Sequence, residues 1–213
     1  MTPSDGPSIR GRQIVQPFPE VGPLLRLAYR ELKLATEGSE QQRHALGDPS
    51  RLPRPWDPAS CRHPDVRAEV WEWLDAVVVW LNHEYVWDAA AMIPPCWSRH
   101  PHLVHEIAVL ADQRRQAGAA PTSDALEDWH RFTLPGFLDR LRTRLHNHCD
   151  EGHQPWPGKG RHTRHTDEAS RAERAEVFAA DVATVQTHPE PRSPRLTVVD
   201  LDTGELHAEP TQW

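Results

Sequence analysis

The stretch Pro64–Tyr85, "PDVRAEVWEWLDAVVVWLNHEY", limits the fold more than any other part of this chain. At helical spacing Val66, Val70, Trp73, Leu74, Val77, Trp80 and Leu81 share one face, and Trp71, Val78 and Tyr85 widen it. Only a narrow strip of Glu72, Asp75, Val79 and His83 is left to face elsewhere. A helix apolar over most of its girth belongs in the middle of a bundle. The expectation is a mostly α fold: a small helical bundle with flexible N- and C-terminal arms.

Shorter helices are expected around it. Pro23 suits a first helical turn, and Leu24, Leu25, Ala28, Leu32 and Ala35 follow on one face, with Gly38 as a stop. Pro101 opens a helix to about Gln116, with Leu103, Val104, Ile107, Leu110 and Ala111 inward and Gly118 ending it. Asp124 and Glu127 form a capping-box pattern, and Thr133-Leu134-Pro135 is expected to interrupt that helix. Leu134, Phe137, Leu138, Leu141 and Leu145 mark a last amphipathic helix that ends near Cys149.

Composition places the core. Eight of the nine tryptophans lie between Trp56 and Trp156, so the middle of the chain is where a core can form. With 21 prolines against 11 glycines, long irregular segments are expected outside it. The expected divisions are a flexible arm at 1–22, a helix and Pro-rich linker at 23–60, a bundle at 61–150, and a tail at 151–213. That tail reads as a basic linker, a short helix capped by Thr166, and a β-hairpin around Asp202-Thr203-Gly204. No apolar run reaches the roughly 20 residues that span a bilayer, and "MTPSDGPSIRGRQIVQPFPE" lacks the core of a secretory leader. Three scattered cysteines form no closed disulfide framework, so a reduced, cytoplasmic protein is expected.

Arg-His-Pro occurs twice, after Cys61 and after Cys96, each time where apolar periodicity begins. One reading is helix punctuation: Pro64 and Pro101 occupy first-turn positions, with His63 and His100 just outside. The other is a metal site. Cys96-x3-His100 and Cys149-x3-His153 each let a thiolate and an imidazole reach one ion, with His146, Cys61 and His63 as spare ligands. No Cys-x2-Cys knuckle accompanies them, so punctuation is favoured and zinc is the alternative. His102 and His105 are expected to face water.

Two binding readings remain. Trp129, His130 and Arg131 before Leu134-Pro135, with Trp97 upstream, could form a docking surface, against the plainer reading of core packing. Arg140, Arg142, Arg144, Lys159, Arg161 and Arg164 with Trp156 form a basic stretch, 140–164, that could contact nucleic acid. The net charge of -7 argues against a general polyanion binder. Enzyme signatures are missing: there is no phosphate-binding glycine loop, no G-x-S-x-G and no H-E-x-x-H.

The segments "PPCWSRHPHLVHEIAVLADQRRQAG" and "LEDWHRFTLPGFLDRL" resemble a family of uncharacterised actinobacterial proteins carried on plasmids, phages and integrative elements. The matching residues are Cys96, Trp97, His100 and Pro101, then Trp129, His130 and Pro135, within about 77–142. Ser98 stands where the family usually has a second Trp, and His130 directly follows Trp129 where the family leaves a gap. The resemblance implies a mobile-element setting and no particular activity. The expected function is a non-enzymatic accessory protein acting through a protein partner. The alternatives are nucleic-acid binding and a helical protein with structural zinc.

Overall fold

The tryptophan-rich helix α3 (Pro64–Glu84) forms as its periodicity predicts. The computed structural model describes residues 14–86, 88–145, 148–187, 198–199 and 206–207. Val70, Trp73, Leu74, Val77, Val78, Trp80 and Leu81 of α3 are buried, and Glu72, Asp75, Val79 and His83 form its exposed strip. Pro64 holds the first helical position, and His63 Nδ1 accepts from Asp65 N at 3.3 Å. One Arg-His-Pro run is thus a helix cap, with its histidine as the capping acceptor.

The chain divides into two units, one ending at Gln154 and one starting at Pro155. In the first, α1 (Pro23–Glu37) and α2 (Glu40–Leu46) precede α3. After it come α4 (Pro101–Ala119), α5 (Asp124–Asp128) and α6 (Leu134–Leu145). Leu25 of α1, Ile107 of α4 and Phe137 of α6 meet α3 in a single core.

Segments expected to lie outside the bundle belong to it. Residues 14–22 of the expected arm lie along α3: Trp73 Nε1 donates to Pro19 O at 3.1 Å and Trp80 Nε1 to Gln16 O at 3.0 Å. Phe18 meets both indoles edge-on, at 6.5 and 5.0 Å. Residues 1–13 of that arm lie outside the described residues. The Pro-rich 38–60 stretch folds back through short 3-10 turns that bury Leu52, Pro55 and Pro58, so it is no linker. Prolines set φ for such turns while leaving side chains free to pack.

Glu69 ties α1 to α3. Its carboxylate accepts from Leu24 N at 3.1 Å and Leu25 N at 2.8 Å, serving the unpaired amides of α1 where Gly22 offers no side-chain cap. A Cβ at Gly22 would come within 2.3 Å of Glu69, so glycine is what permits the approach. Glu69→Ala is expected to destabilise the protein by about 1–2 kcal/mol, measured by urea denaturation. Glu69→Gln, which keeps one acceptor oxygen, should lose less.

Two helix boundaries differ from expectation. Ser123, and not Asp124, is the residue before α5. Pro135 does not break the helix, because a π-helical turn (Trp129–Thr133) joins α5 to α6. There Leu134 N donates to Trp129 O, five residues back, and the widened turn accommodates the proline that follows.

In the second unit, "KGRHTRHT" forms α7 (Lys159–Thr166), although it has no apolar stripe and buries nothing. Asp167, and not Thr166, starts α8 (Glu168–Thr187): its Oδ1 accepts from Ser170 N at 2.8 Å. Two short antiparallel strands, β1 (Val198–Val199) and β2 (Leu206–His207), pair with Val198 opposite His207. The hairpin turn at Asp202-Thr203-Gly204 lies outside the described residues. Among the described residues no helix is long and apolar enough to cross a membrane.

Candidate metal centre

The second Arg-His-Pro run behaves differently from the first. Pro101 again holds the first position of α4, and His100 again precedes it, but His100 makes no cap hydrogen bond with its side chain. Its ring turns instead toward two thiols. His100 Nε2 lies 3.4 Å from Cys96 Sγ and 3.4 Å from Cys149 Sγ. The His153 ring stands 5.0 Å from that of His100, centre to centre. One ligand atom from each of Cys96, His100, Cys149 and His153 lies within 4.8 Å of the others.

Local structure explains how the four meet. A 3-10 turn, Trp97–Arg99, separates Cys96 from His100, and its buried Trp97 anchors it against Trp71 at 6.2 Å. On the other side the chain leaves α6 and turns back between Cys149 and His153. Gly152 closes that turn at φ 132°, donating N–H to Cys149 O at 3.2 Å. A side chain rarely tolerates this conformation. Gly152→Ala is expected to weaken metal binding about tenfold, from roughly 1–2 kcal/mol of backbone strain. A zinc titration against a chromophoric chelator measures it.

The donor set fits a tetrahedral zinc site. Zinc bonds of about 2.3 Å to sulfur and 2.0–2.1 Å to nitrogen set tetrahedral edges of about 3.3–3.8 Å; the two S···N separations to His100 fall in that range, and the whole set, within 4.8 Å, would draw in slightly around an ion. Two thiolates with two imidazoles suit zinc better than the oxygen-seeking cations. Burial, and then the charges of His153, His102 and His148, hold the His100 imidazole below its ordinary range, in the neutral form that binds metal. Burial pushes the Cys96 thiol up, and the neighbouring Cys149 sulfur adds to this.

The described spare ligands, Cys61 and His63, stay apart. Cys61 is fully buried, with Sγ 3.6 Å from Arg54 O and a thiol raised mainly by burial. His63 caps α3, and His146 lies outside the described residues. His105 is exposed as expected. His102 is half-buried, however, and its Nε2 has no hydrogen-bond partner among the described residues.

The docking surface is corrected. Trp97 and Trp129 are 5% and 2% exposed, so both are core. Trp129 Nε1 donates to Leu110 O at 3.3 Å, and its ring meets Trp80 and Tyr85. His130 is half-buried, 3.0 Å from the Tyr85 hydroxyl, while Arg131 is exposed beside Phe132. The basic stretch falls into two parts. Arg140 and Arg144 both clasp Glu106, Arg140 at 2.6 Å, and Arg142 pairs with Asp88 at 2.7 Å and Asp139 at 3.2 Å. Lys159, Arg161 and Arg164 are exposed on α7 in the other unit, near Trp156, which is 60% exposed.

All four candidate ligands were legible as two Cys-x3-His pairs. Their meeting was not, because 49 residues separate His100 from Cys149. Gly152 was also missed, since nothing local marks its turn. No protein-family model, curated protein or solved structure matches this chain.

Proposed function

We propose that this chain is a zinc-binding helical protein in which Cys96, His100, Cys149 and His153 hold one structural ion. The convergence of the four ligand atoms within 4.8 Å carries the reading. Four protein ligands leave no open position for water or substrate, which marks a structural rather than a hydrolytic site. The ion would join the start of α4 to the segment after α6. Metal analysis of protein purified without added metal should find one zinc per chain, and Cys96→Ser and Cys149→Ser should each lose it. Sub-stoichiometric metal that zinc supplementation does not raise would exclude the reading.

A second reading is an accessory protein that binds another protein, in the mobile-element setting implied by the family resemblance. It is supported by α8, where Val177, Phe178 and Val182 are 61%, 63% and 54% exposed. Large apolar side chains grouped on a helix otherwise face solvent at a cost. Pull-down from the native host should recover a partner that Phe178→Asp no longer retains. Recovery unchanged by that substitution counts against the reading. Binding of nucleic acid through α7 is an alternative, tested by titrating DNA and RNA at several salt concentrations. Negligible binding at low salt removes it.

A further inference from the structure

We propose that the cleft between α4 and the extended segment 18–21 binds a small organic anion, one with a carboxylate or phosphate head and a flat apolar body. The cleft measures about 610 Å³, a size that suits such a ligand. Phe18, Val21 and Leu126 give it apolar walls, and Arg26, Arg114 and Arg115 give it three guanidinium groups.

Arg114 is the residue that points to an anion. Its guanidinium carbon lies 5.3 Å from the Phe18 ring, 5.5 Å from Trp80 and 5.6 Å from Trp129. Those rings hold the cation in place without neutralising it. Among the described residues no carboxylate lies within ion-pair distance of Arg114, and its buried Nε has no acceptor. The neighbouring guanidinium groups differ. Arg115 is held by Asp112 at 2.9 Å and lies over Tyr29 at 3.6 Å, and Arg26 donates to Val21 O at 2.6 Å. Glu20 lines the same cleft but pairs with none of the three. A fixed, uncompensated guanidinium at the edge of an aromatic cluster is the arrangement that takes carboxylate or phosphate oxygens in a fork.

Gly118 supplies a second observation. The helix does not stop there, as its sequence suggests, but continues to Ala119. A Cβ at Gly118 would lie 2.7 Å from Arg114 Nη1, so any other residue displaces the guanidinium tip. Glycine is unfavourable inside a helix, and here its absent side chain is what leaves room for Arg114 to lie across the turn.

The test uses the full chain with benzoate and phenyl phosphate as probes and benzyl alcohol as the neutral control. The fluorescence of Trp80 and Trp129, beside Arg114, follows binding. Saturable binding of at least one anion is expected, with benzyl alcohol at least about tenfold weaker. The ratio of benzoate to phenyl phosphate affinity assigns the head group. Arg114→Met should weaken anion binding about tenfold or more. Gly118→Ala should do the same by displacing the guanidinium, and it keeps the aromatic cluster intact should the methionine variant fail to fold. Equal affinity for benzyl alcohol, no saturation by either anion, or wild-type binding in both variants would overturn the proposal. None of the cleft residues is a metal ligand, so this test and the zinc test fail independently.

Discussion

Chelation of the zinc-loaded protein is expected to lower its melting temperature by about 10 °C. The estimate follows from linkage. An ion present at a thousand times its dissociation constant stabilises the folded state by about 4 kcal/mol. In a unit of this size each kcal/mol moves the midpoint by about 2–4 °C. Complete unfolding is not expected, as it would be in a small zinc finger, because the unit has its own core around Leu74, Val77 and Ile107. What the proposed ion would add is a tie between the start of α4 and the chain beyond α6. Cys149→Ser should melt near the chelated temperature whether or not zinc is added, since Cys149 is the buried ligand of the four. A melting curve indifferent to zinc and chelator alike would sink the structural role.

Trp129→Ala should cost about 3–5 kcal/mol, the range for removing a large buried aromatic side chain. Trp129 is among the largest fully enclosed residues and touches the Trp80, Tyr85 and Arg114 groups at once. The substitution also leaves Leu110 O without the indole donor. Trp129→Phe keeps a ring in the cavity but not that donor, and a loss of about 1–2 kcal/mol is expected. Urea midpoints of the two variants separate packing from the hydrogen bond. A loss below about 1 kcal/mol for the alanine variant would show that the cluster collapses around the missing ring.

How far the sequence revealed this architecture depended on whether the signal was periodic. All seven core residues named on α3 are buried or half-buried, because one continuous helix writes its burial into a 3.6-residue repeat. The 38–60 segment has no repeat, so its prolines suggested a linker, and only packing of Leu52, Pro55 and Pro58 shows otherwise. The candidate metal ligands fell between these cases. Spacing within each Cys-x3-His pair is local and readable, while the approach of the pairs depends on how α4 and α6 pack. Arg114 left no trace at all, since a lone arginine on a helix normally reads as a solvent-facing residue. Its rings arrive from Phe18, Trp80 and Trp129, on three different segments.

The π-helical turn at Trp129–Thr133 has a consequence for the phase of everything that follows it. A π turn carries one residue more than an α turn, and one residue is worth about 100° of rotation about the helix axis. Were these residues wound as a regular α turn instead, with none removed, α6 would rotate against the bundle, turning Phe137, Leu141 and Leu145 out and carrying Arg140 and Arg144 away from Glu106. The exit of the chain toward Cys149 would swing with them. A single surplus residue, outside both Cys-x3-His pairs, thus acts as the indexing step that aims one half of the candidate metal centre at the other.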